Sequence, residues 1–427
     1  MGYITSFILL LLALIMQKKK GTWLSPDVLF CYEWFAISCL ASLHLFTMYE
    51  VSAFTWSLIL IGSISFCVGV NANISKKNFK AHVGSFSLEN SRPLLSQKLY
   101  FVLYVLVLLS YIPLLVQTIF LLQSGVELDE VRSAFFGATE LSGYERNTKG
   151  IYAAINYLQT FGYMLVVANG IFVFVKDRNF LFLLSAISLV IIDSTVTGGR
   201  FNIAYFVIEL IICFEIFSKA RITKTKKANF KTKIIVGATV LLFAYFFVSI
   251  TFLRGAESDE IVTKYYRYFC GCIPYFDVRM PQIDKDGIWY CGLASFYGIT
   301  NMIFPVLHVF GVPYPDTYNA CIEKVNDTQE FMKIGTDMST NAFVTPFYHL
   351  YADGRLFAII LGMLFFGLIA GKVFKNIIYR ASGANVIFYL LICQMIFETL
   401  YHYPFVNLGN GLFLLLWLFF WNRKKIA

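Results

Sequence analysis

Charged side chains are what this sequence has least of. Of its 427 residues only 14% are Asp, Glu, Lys or Arg, against roughly 25% in an average soluble domain. A water-soluble globular fold is excluded on that ground, and with a mean hydropathy of +0.66 so are a disordered chain and a nucleic-acid-binding protein. Internal repeats, low-complexity tracts and a soluble nucleotide-binding domain are also missing. The longest basic connection, 75–98, has no glycine-rich phosphate loop, which argues against ATP-driven chemistry on its side of the membrane. A leader cleavage site is missing too. The first apolar stretch, 2–16, is followed rather than preceded by Lys18, Lys19 and Lys20, so it reads as a retained helix.

Apolar residues are abundant, at 58% hydrophobic and 18% aromatic. They fall in runs of about 20, the length of a membrane crossing. The expected fold class is therefore all-α, a polytopic integral membrane protein of about eleven transmembrane helices. The spans are expected at 2–16, 28–47, 52–74, 99–122, 151–175, 180–194, 201–217, 234–253, 353–371, 384–402 and 408–421. Basic residues orient them. The connections 17–27, 75–98, 176–178, 218–233 and 372–383 and the tail from Arg423 carry 23 of the 35 basic residues but only three acids, Asp27, Glu89 and Asp177. They occur at every second connection, so the positive-inside rule puts them, and the C-terminus, in the cytoplasm. The net charge of +9 thus reports orientation and not an acidic ligand.

Three regions follow. Residues 1–253 form a bundle of eight spans with an outer segment at 124–149. Residues 254–351 form an extracytoplasmic lobe with interfacial helices, and 352–427 add three spans and the basic tail. Within the lobe, Leu293–Val312 is apolar and aromatic but interrupted by Gly298, Asn301, Pro305 and His308. It reads as an interfacial or re-entrant helix, because one more crossing would invert the charge pattern downstream.

Chemistry is sought among the few polar groups on the outer side. Arg200 follows Thr197-Gly198-Gly199 between two spans, and Arg254 precedes Gly255 at the end of another. An always-charged fork at the hydrocarbon edge either snorkels to headgroups or serves an anionic ligand. The stretch Tyr265 to Arg279 interleaves Arg267 and Arg279 with Tyr266 and other rings. Guanidinium forks suit phosphate and aromatic faces suit sugar, while an interfacial aromatic belt is the bland alternative. Segment 124–149 adds Arg132 and Arg146. His349 and Asp353 stand four apart, on one helix face, and with Asp277 are the candidates to deprotonate a hydroxyl. A structural role for the first two, with Asp353 capping the helix it leads into, is the other reading. Glu33, Glu209, Glu215 and Glu398 lie in or near spans, where hydrogen bonding between helices is the usual explanation. Cys270, Cys272, Cys291 and Cys321 are outside, where one or two disulfides can form, and their spacing does not suit zinc.

The order Gly198-Gly199-Arg200, Arg254-Gly255, the Tyr/Arg/Gly stretch 265–279, then Asn341 and Tyr351-Ala352-Asp353-Gly354 entering a helix with Gly362, Gly367 and Gly371 resembles the Wzy-type oligosaccharide repeat-unit polymerases of O-antigen and capsule assembly. The resemblance covers most of the chain. The sequence departs from the family's usual Asp-Phe-Gly by carrying Asp353-Gly354-Arg355.

The resemblance implies glycosyl transfer on the periplasmic face of a bacterial inner membrane. A glycan on one undecaprenyl diphosphate carrier would join a repeat unit on another, without cofactor or metal. Arg200, Arg254, Arg267, Arg279, Arg132 and Tyr266 would bind diphosphate and glycan, and His349, Asp353 and Asp277 would serve catalysis. Membrane lipids are implied as partners, together with the chain-length regulator and flippase of the same pathway. The alternatives are an O-antigen ligase-like transferase and a lipid-linked oligosaccharide flippase. On this reading Arg200→Ala and Arg254→Ala each abolish or sharply reduce polymer, as gel analysis of chain length would show, at unchanged protein level. Normal long polymer from both variants would remove the diphosphate clamp.

Overall fold

The structure is a computed structural model that describes residues 1–74, 87–88, 91–135, 141, 151–220, 230–253, 261–341 and 343–423. Among these it is helical apart from one short antiparallel pair, Met332–Lys333 with Ser339–Thr340. The helices are α1 Gly2–Lys20, α2 Pro26–Ala41, α3 Ala53–Ala72, α4 Gln97–Gln123 and α5 Leu128–Phe135. Next come α6 Ile151–Tyr157, a π turn at Leu158–Gly162, α7 Tyr163–Asp177, α8 Phe180–Thr197, α9 Phe201–Lys219 and α10 Phe230–Leu253. The rest are α11 Ile261–Cys270, α12 Cys272–Asp286, α13 Tyr297–Val309, α14 Asp316–Asn326, α15 Thr345–Tyr379, α16 Gly383–Glu398 and α17 Leu408–Arg423.

Each of the eleven expected spans coincides with a helix or helical run. Seven are long and apolar enough to cross a membrane: α1, α3, α4, Ile155–Asp177, α8, α9 and α15. Gly237–Phe252, Gly383–Glu398 and Leu408–Phe419 are apolar but shorter, and α2, 16 residues with Asp27 and Glu33, belongs to neither group. Length and composition therefore support seven crossings among the described residues, fewer than eleven. The fold is that of an all-α, membrane-embedded protein.

Local rules set the helix ends. Ser52 and Ser96 cap α3 and α4 by accepting from the amides of Thr55 and Leu99 at 3.2 and 3.4 Å. Pro26 occupies the first turn of α2, and α1 and α8 end on left-handed Gly21 and Gly198. Helix α4 shows the solvent it is made for. Its buried residues, Tyr100, Val107, Tyr111, Leu114, Thr118 and Leu121, form one stripe, while apolar Val116 and Phe120 on other faces are 60% and 68% exposed. A helix apolar all round with one packed stripe turns its other faces to lipid.

The chain folds into two compact units. One comprises Met1–Ala81, Val262–Asn376 and Met395–Ala427, and the other His82–Ile261 and Ile377–Gln394. In the first, α3 and α15 meet backbone to backbone. A side chain at Gly69 would strike the Leu364 carbonyl, one at Gly367 that of Phe66, and one at Gly371 that of Val70. Because lipid supplies no hydrophobic drive between helices, close contact of this small-xxx-small kind is what holds them. Gly367→Val should therefore destabilise the protein by about 1–3 kcal/mol, read as a lower unfolding midpoint in detergent. Gly237→Ala, where nothing lies within 4 Å, should leave the midpoint in place.

Candidate functional site

In the first unit, several polar residues singled out from the sequence serve as anchors. Asp277, on α12, accepts from the Ser52 amide at 3.2 Å and from the hydroxyls of Ser52 and Thr55 at 2.5 Å. Its carboxylate caps the N-terminus of α3, where the helix dipole favours negative charge. Arg279, 5% exposed, donates to the Tyr275 hydroxyl at 3.2 Å, Gln282 Oε1 at 2.9 Å, the Asp327 carbonyl at 2.8 Å and Glu330 Oε2 at 3.1 Å. Its guanidinium staples α12 to the end of α14. The Tyr266 hydroxyl donates to the Leu40 carbonyl at 2.9 Å and accepts from the Leu45 amide at 3.0 Å. Burial pushes its phenol up to about 12, so it ties α11 to the end of α2 as a neutral group.

Asp353 caps a turn, but not that of its own helix. Its carboxylate accepts from the amides of Ala294 and Ser295 at 3.0 and 2.8 Å and from the Ser295 hydroxyl, while its carbonyl accepts from the Cys291 amide at 3.0 Å. It thereby roots the segment that enters α13. Directly after it α15 breaks, with Arg355 at φ 55° and ψ −142°. A non-glycine residue holds that conformation only when its surroundings impose it. Here Arg355 Nε pairs with Asp284 Oδ1 at 2.7 Å, Nη2 donates to the Ile283 carbonyl at 2.8 Å and Nη1 to the Tyr351 carbonyl at 3.2 Å. This clamp was legible only as part of the Asp-Gly-Arg departure, without its role.

The same unit contains a different arrangement. Arg267, half-buried on α11, lies 5.8 Å from the Tyr268 ring, and its side chain makes no hydrogen bond or ion pair among the described residues. From Tyr268 the rings continue to Phe343 at 5.0 Å, Tyr401 at 4.8 Å and His402 at 6.4 Å. The Val344 amide donates to the Tyr401 carbonyl at 2.9 Å and fixes the middle of the row. His402 lies within electrostatic range of His349. His349 is 2% exposed, and its Nδ1, the His402 Nδ1 and the Thr345 hydroxyl are buried without a hydrogen-bond partner. Buried polar atoms are rarely left so.

His349 and Asp353, expected to work as a pair, are engaged differently: the carboxylate is spent on the turn, and the imidazole lies edge-on to the Tyr348 ring at 5.2 Å within electrostatic range of His402. Tyr401 and His402 were not singled out, since the expected span 384–402 absorbed them. The structure ends α16 at Glu398, and the signal was a histidine between two tyrosines at the junction of two apolar runs. Glu398 accepts from the Asn410 side chain, an inter-helix bond of the kind expected for acids in spans.

The second unit brings together two of the expected arginines. Arg200 opens α9, is 4% exposed, donates to Thr251 Oγ1 at 2.7 Å and lies 5.7 Å from the Phe247 ring. Gly198, at φ +58°, packs on the Arg132 side chain, whose Cβ and Cδ would stand 3.1 and 3.3 Å from an added methyl. The α8–α9 turn therefore lies beside Arg132 on α5 and carries Arg200. Asp193, a turn earlier, accepts from the Tyr111 hydroxyl at 2.7 Å and from Asn202. Arg254 and Arg146 lie outside the described residues.

The expected disulfides are not formed: all nine cysteines are free, with Cys270, Cys272 and Cys321 buried and Cys291 exposed. They pack as small apolar groups, and burial pushes the thiols of Cys270 and Cys321 up to about 12, far from the thiolate that exchange requires. Among the described residues no three His, Cys, Asp or Glu side chains group as metal ligands. Comparison with family models, curated proteins and solved structures finds no match to this chain.

The two arginines of α11 and α12 should separate in a stability assay. Arg279→Ala removes bonds to a buried charge, each worth about 1.5–3 kcal/mol, and should lower the unfolding midpoint markedly. Arg267→Ala, with no such bonds to lose, should leave it within error of the parent.

Proposed function

We propose that the chain is a lipid-carrier-dependent glycosyltransferase that polymerises oligosaccharide repeat units, with the row from Arg267 to His349 as its reacting centre. The observation that carries this reading is the Arg267 guanidinium, with no side-chain hydrogen bond or ion pair among the described residues, at one end of an aromatic row whose other end is His402, where the buried Nδ1 atoms of His402 and of nearby His349 lack a hydrogen-bond partner. Asp277, Arg279, Asp353 and Arg355 of the same unit are bound internally, whereas these groups are available to a ligand.

Each part has a use in such a transfer. The rings of Tyr268, Phe343 and Tyr401 offer faces for the apolar sides of sugars. Arg267 meets the diphosphate of the donor and neutralises the charge that grows on it as it leaves. His349 takes the proton of the acceptor hydroxyl, with His402 beside it. The bond from the donor anomeric carbon to the diphosphate oxygen breaks and a bond to the acceptor oxygen forms. The carrier diphosphate departs, and the imidazolium returns its proton to solvent. The lost sugar–diphosphate bond supplies the driving force, so no nucleotide is consumed.

Arg132 and Arg200, at one turn of the second unit, are assigned to a further phosphate contact, and Arg254 joins them on the sequence resemblance. The alternation of basic connections orients eleven spans with this chemistry on the extracytoplasmic face of a bacterial inner membrane. Undecaprenyl-diphosphate-linked glycan is the proposed substrate.

The test is purified protein in nanodiscs with carrier-linked repeat units and no gradient or nucleotide. A ladder of longer carrier-linked products is expected. Arg267→Ala and His349→Ala should each cut its rate by about 10²–10⁴-fold, the range for loss of such a group, with folded protein yield retained. A full ladder from both variants would overturn the site. Transfer of finished chains to a lipid A acceptor without any ladder would make the protein a ligase.

A further inference from the structure

Between Asp286 and Asp316 the chain contains no Asp, Glu, Lys or Arg, the longest such stretch in the segment 261–341. Its second half is α13 and the turn that leads to α14. The root of α13 is held on three sides. Asp353 caps the turn at Ala294 and Ser295, and Phe296 stacks on Phe405 at 5.6 Å with the rings 7° apart. Gly298 lies so close to the backbone of Asn407 that no side chain would fit, and Gly411 of α17 packs on Ile299. Helix α14 returns along α13, with Phe304 and Tyr318 4.4 Å apart and the Tyr318 hydroxyl donating to Asn301 Oδ1 at 3.2 Å. The two helices form a hairpin.

The tip of that hairpin is apolar and bare. Val309 and Phe310 are 83% and 79% exposed, and Val306, Ile303 and Val312 are 56%, 49% and 44%. Three of its amides are bonded within the turn. The amides of Phe310, Gly311 and Val312 donate to the carbonyls of Leu307, His308 and Leu307 at 2.9–3.1 Å. His308 Nδ1 lies 3.3 Å from the Val312 carbonyl and its ring stacks on Tyr314 at 4.4 Å. Pro305, Pro313 and Pro315 have no amide hydrogen to satisfy. A helix end with this much bare apolar surface and few free amides suits lipid better than water.

We infer that this hairpin is re-entrant, its tip at Val306–Val312 inserted among the acyl chains of one bilayer leaflet beside α17. The lipid surface is already present next to it, because Leu415, Leu418 and Phe419 of α17 are apolar and about half exposed. The reach fits as well. From Gly298 to Phe310 is about 18 Å of helix at 1.5 Å per residue, against a leaflet of about 15 Å of hydrocarbon. The hairpin enters, turns within the leaflet and comes back to the polar face of α14. Through Asp353 its root is joined to the break in α15, so the lipid-anchored hairpin and the Arg355 clamp form one rigid piece. The inference is independent of the reaction proposed above.

A nitroxide label tests it in the full chain reconstituted in phosphatidylcholine vesicles. Cys39→Ser and Cys291→Ser remove the accessible thiols, and Phe310→Cys, Val306→Cys or Glu323→Cys supplies the labelled position. Collisional relaxation by oxygen is then compared with that by a water-soluble nickel chelate. Labels at 306 and 310 should favour oxygen by several-fold over the label at 323, which lies on the polar side of α14. Nickel accessibility at 306 and 310 equal to that at 323 would overturn the inference.

Discussion

A polar group in this molecule is surrounded by hydrocarbon, its own or the membrane's, and must find its partner inside the protein. That constraint organises the structure. Lys20 and Asp27, at 4% and 0% side-chain exposure, pair at 2.6 Å, and the Asn71 amide donates to the same carboxylate at 2.9 Å. The Trp34 indole donates to Thr399 at 3.0 Å. Asp277 ties segment 261–341 to α3, Asp353 and Arg355 tie it to α15, and Arg279 joins α12 to the end of α14 within it, each through three or more bonds. Removing one member of such a set leaves the other charge buried alone, which costs far more than the pair contributes. The apolar helices supply length and lipid-facing surface, and these few polar ties decide which helices meet.

Against that background an unpartnered group becomes informative. The Arg267 side chain and the Nδ1 atoms of His349 and His402 stand apart from bound groups such as Arg279 and Asp353, and the ring row from Tyr268 to His402 gives that difference a shape. The glycine seam of α3 and α15 has a related origin. Where solvent does not press helices together, they are held by contact close enough for backbones to touch, and a single methyl group at Gly367 would part them. The seam fixes the part of α15 beyond its break, and the Arg355 clamp fixes the break itself, so the segment carrying His349 is set from two sides.

Much of the architecture was legible along the chain. Hydropathy is a local property, so the eleven apolar spans could be read from runs of apolar residues and each falls on a helix, while α5, α11, α12 and α14, whose sequences mix polar and apolar residues, could not be placed that way. The roles of the polar residues were not legible in the same way. Asp277 meets Ser52 across 225 positions, and Asp353 meets Ser295 across 58. Nothing near either aspartate announces those partners, and both read equally well as acids for catalysis. His402 was hidden for the opposite reason, since apolar neighbours drew it into an expected span that ends in the structure at Glu398.

By itself, then, the sequence determined that the chain is a helical membrane protein with scarce charges, because composition and periodicity act over a few turns of helix. Only the tertiary structure decided which of those charges are bound. A hydrogen bond is satisfied by whatever donor or acceptor the fold brings within about 3 Å, and that depends on residues far away in the chain. The fold committed Asp277, Arg279 and Asp353 to holding it together, and left the Arg267 side chain and the His349 Nδ1 without a hydrogen bond among the described residues.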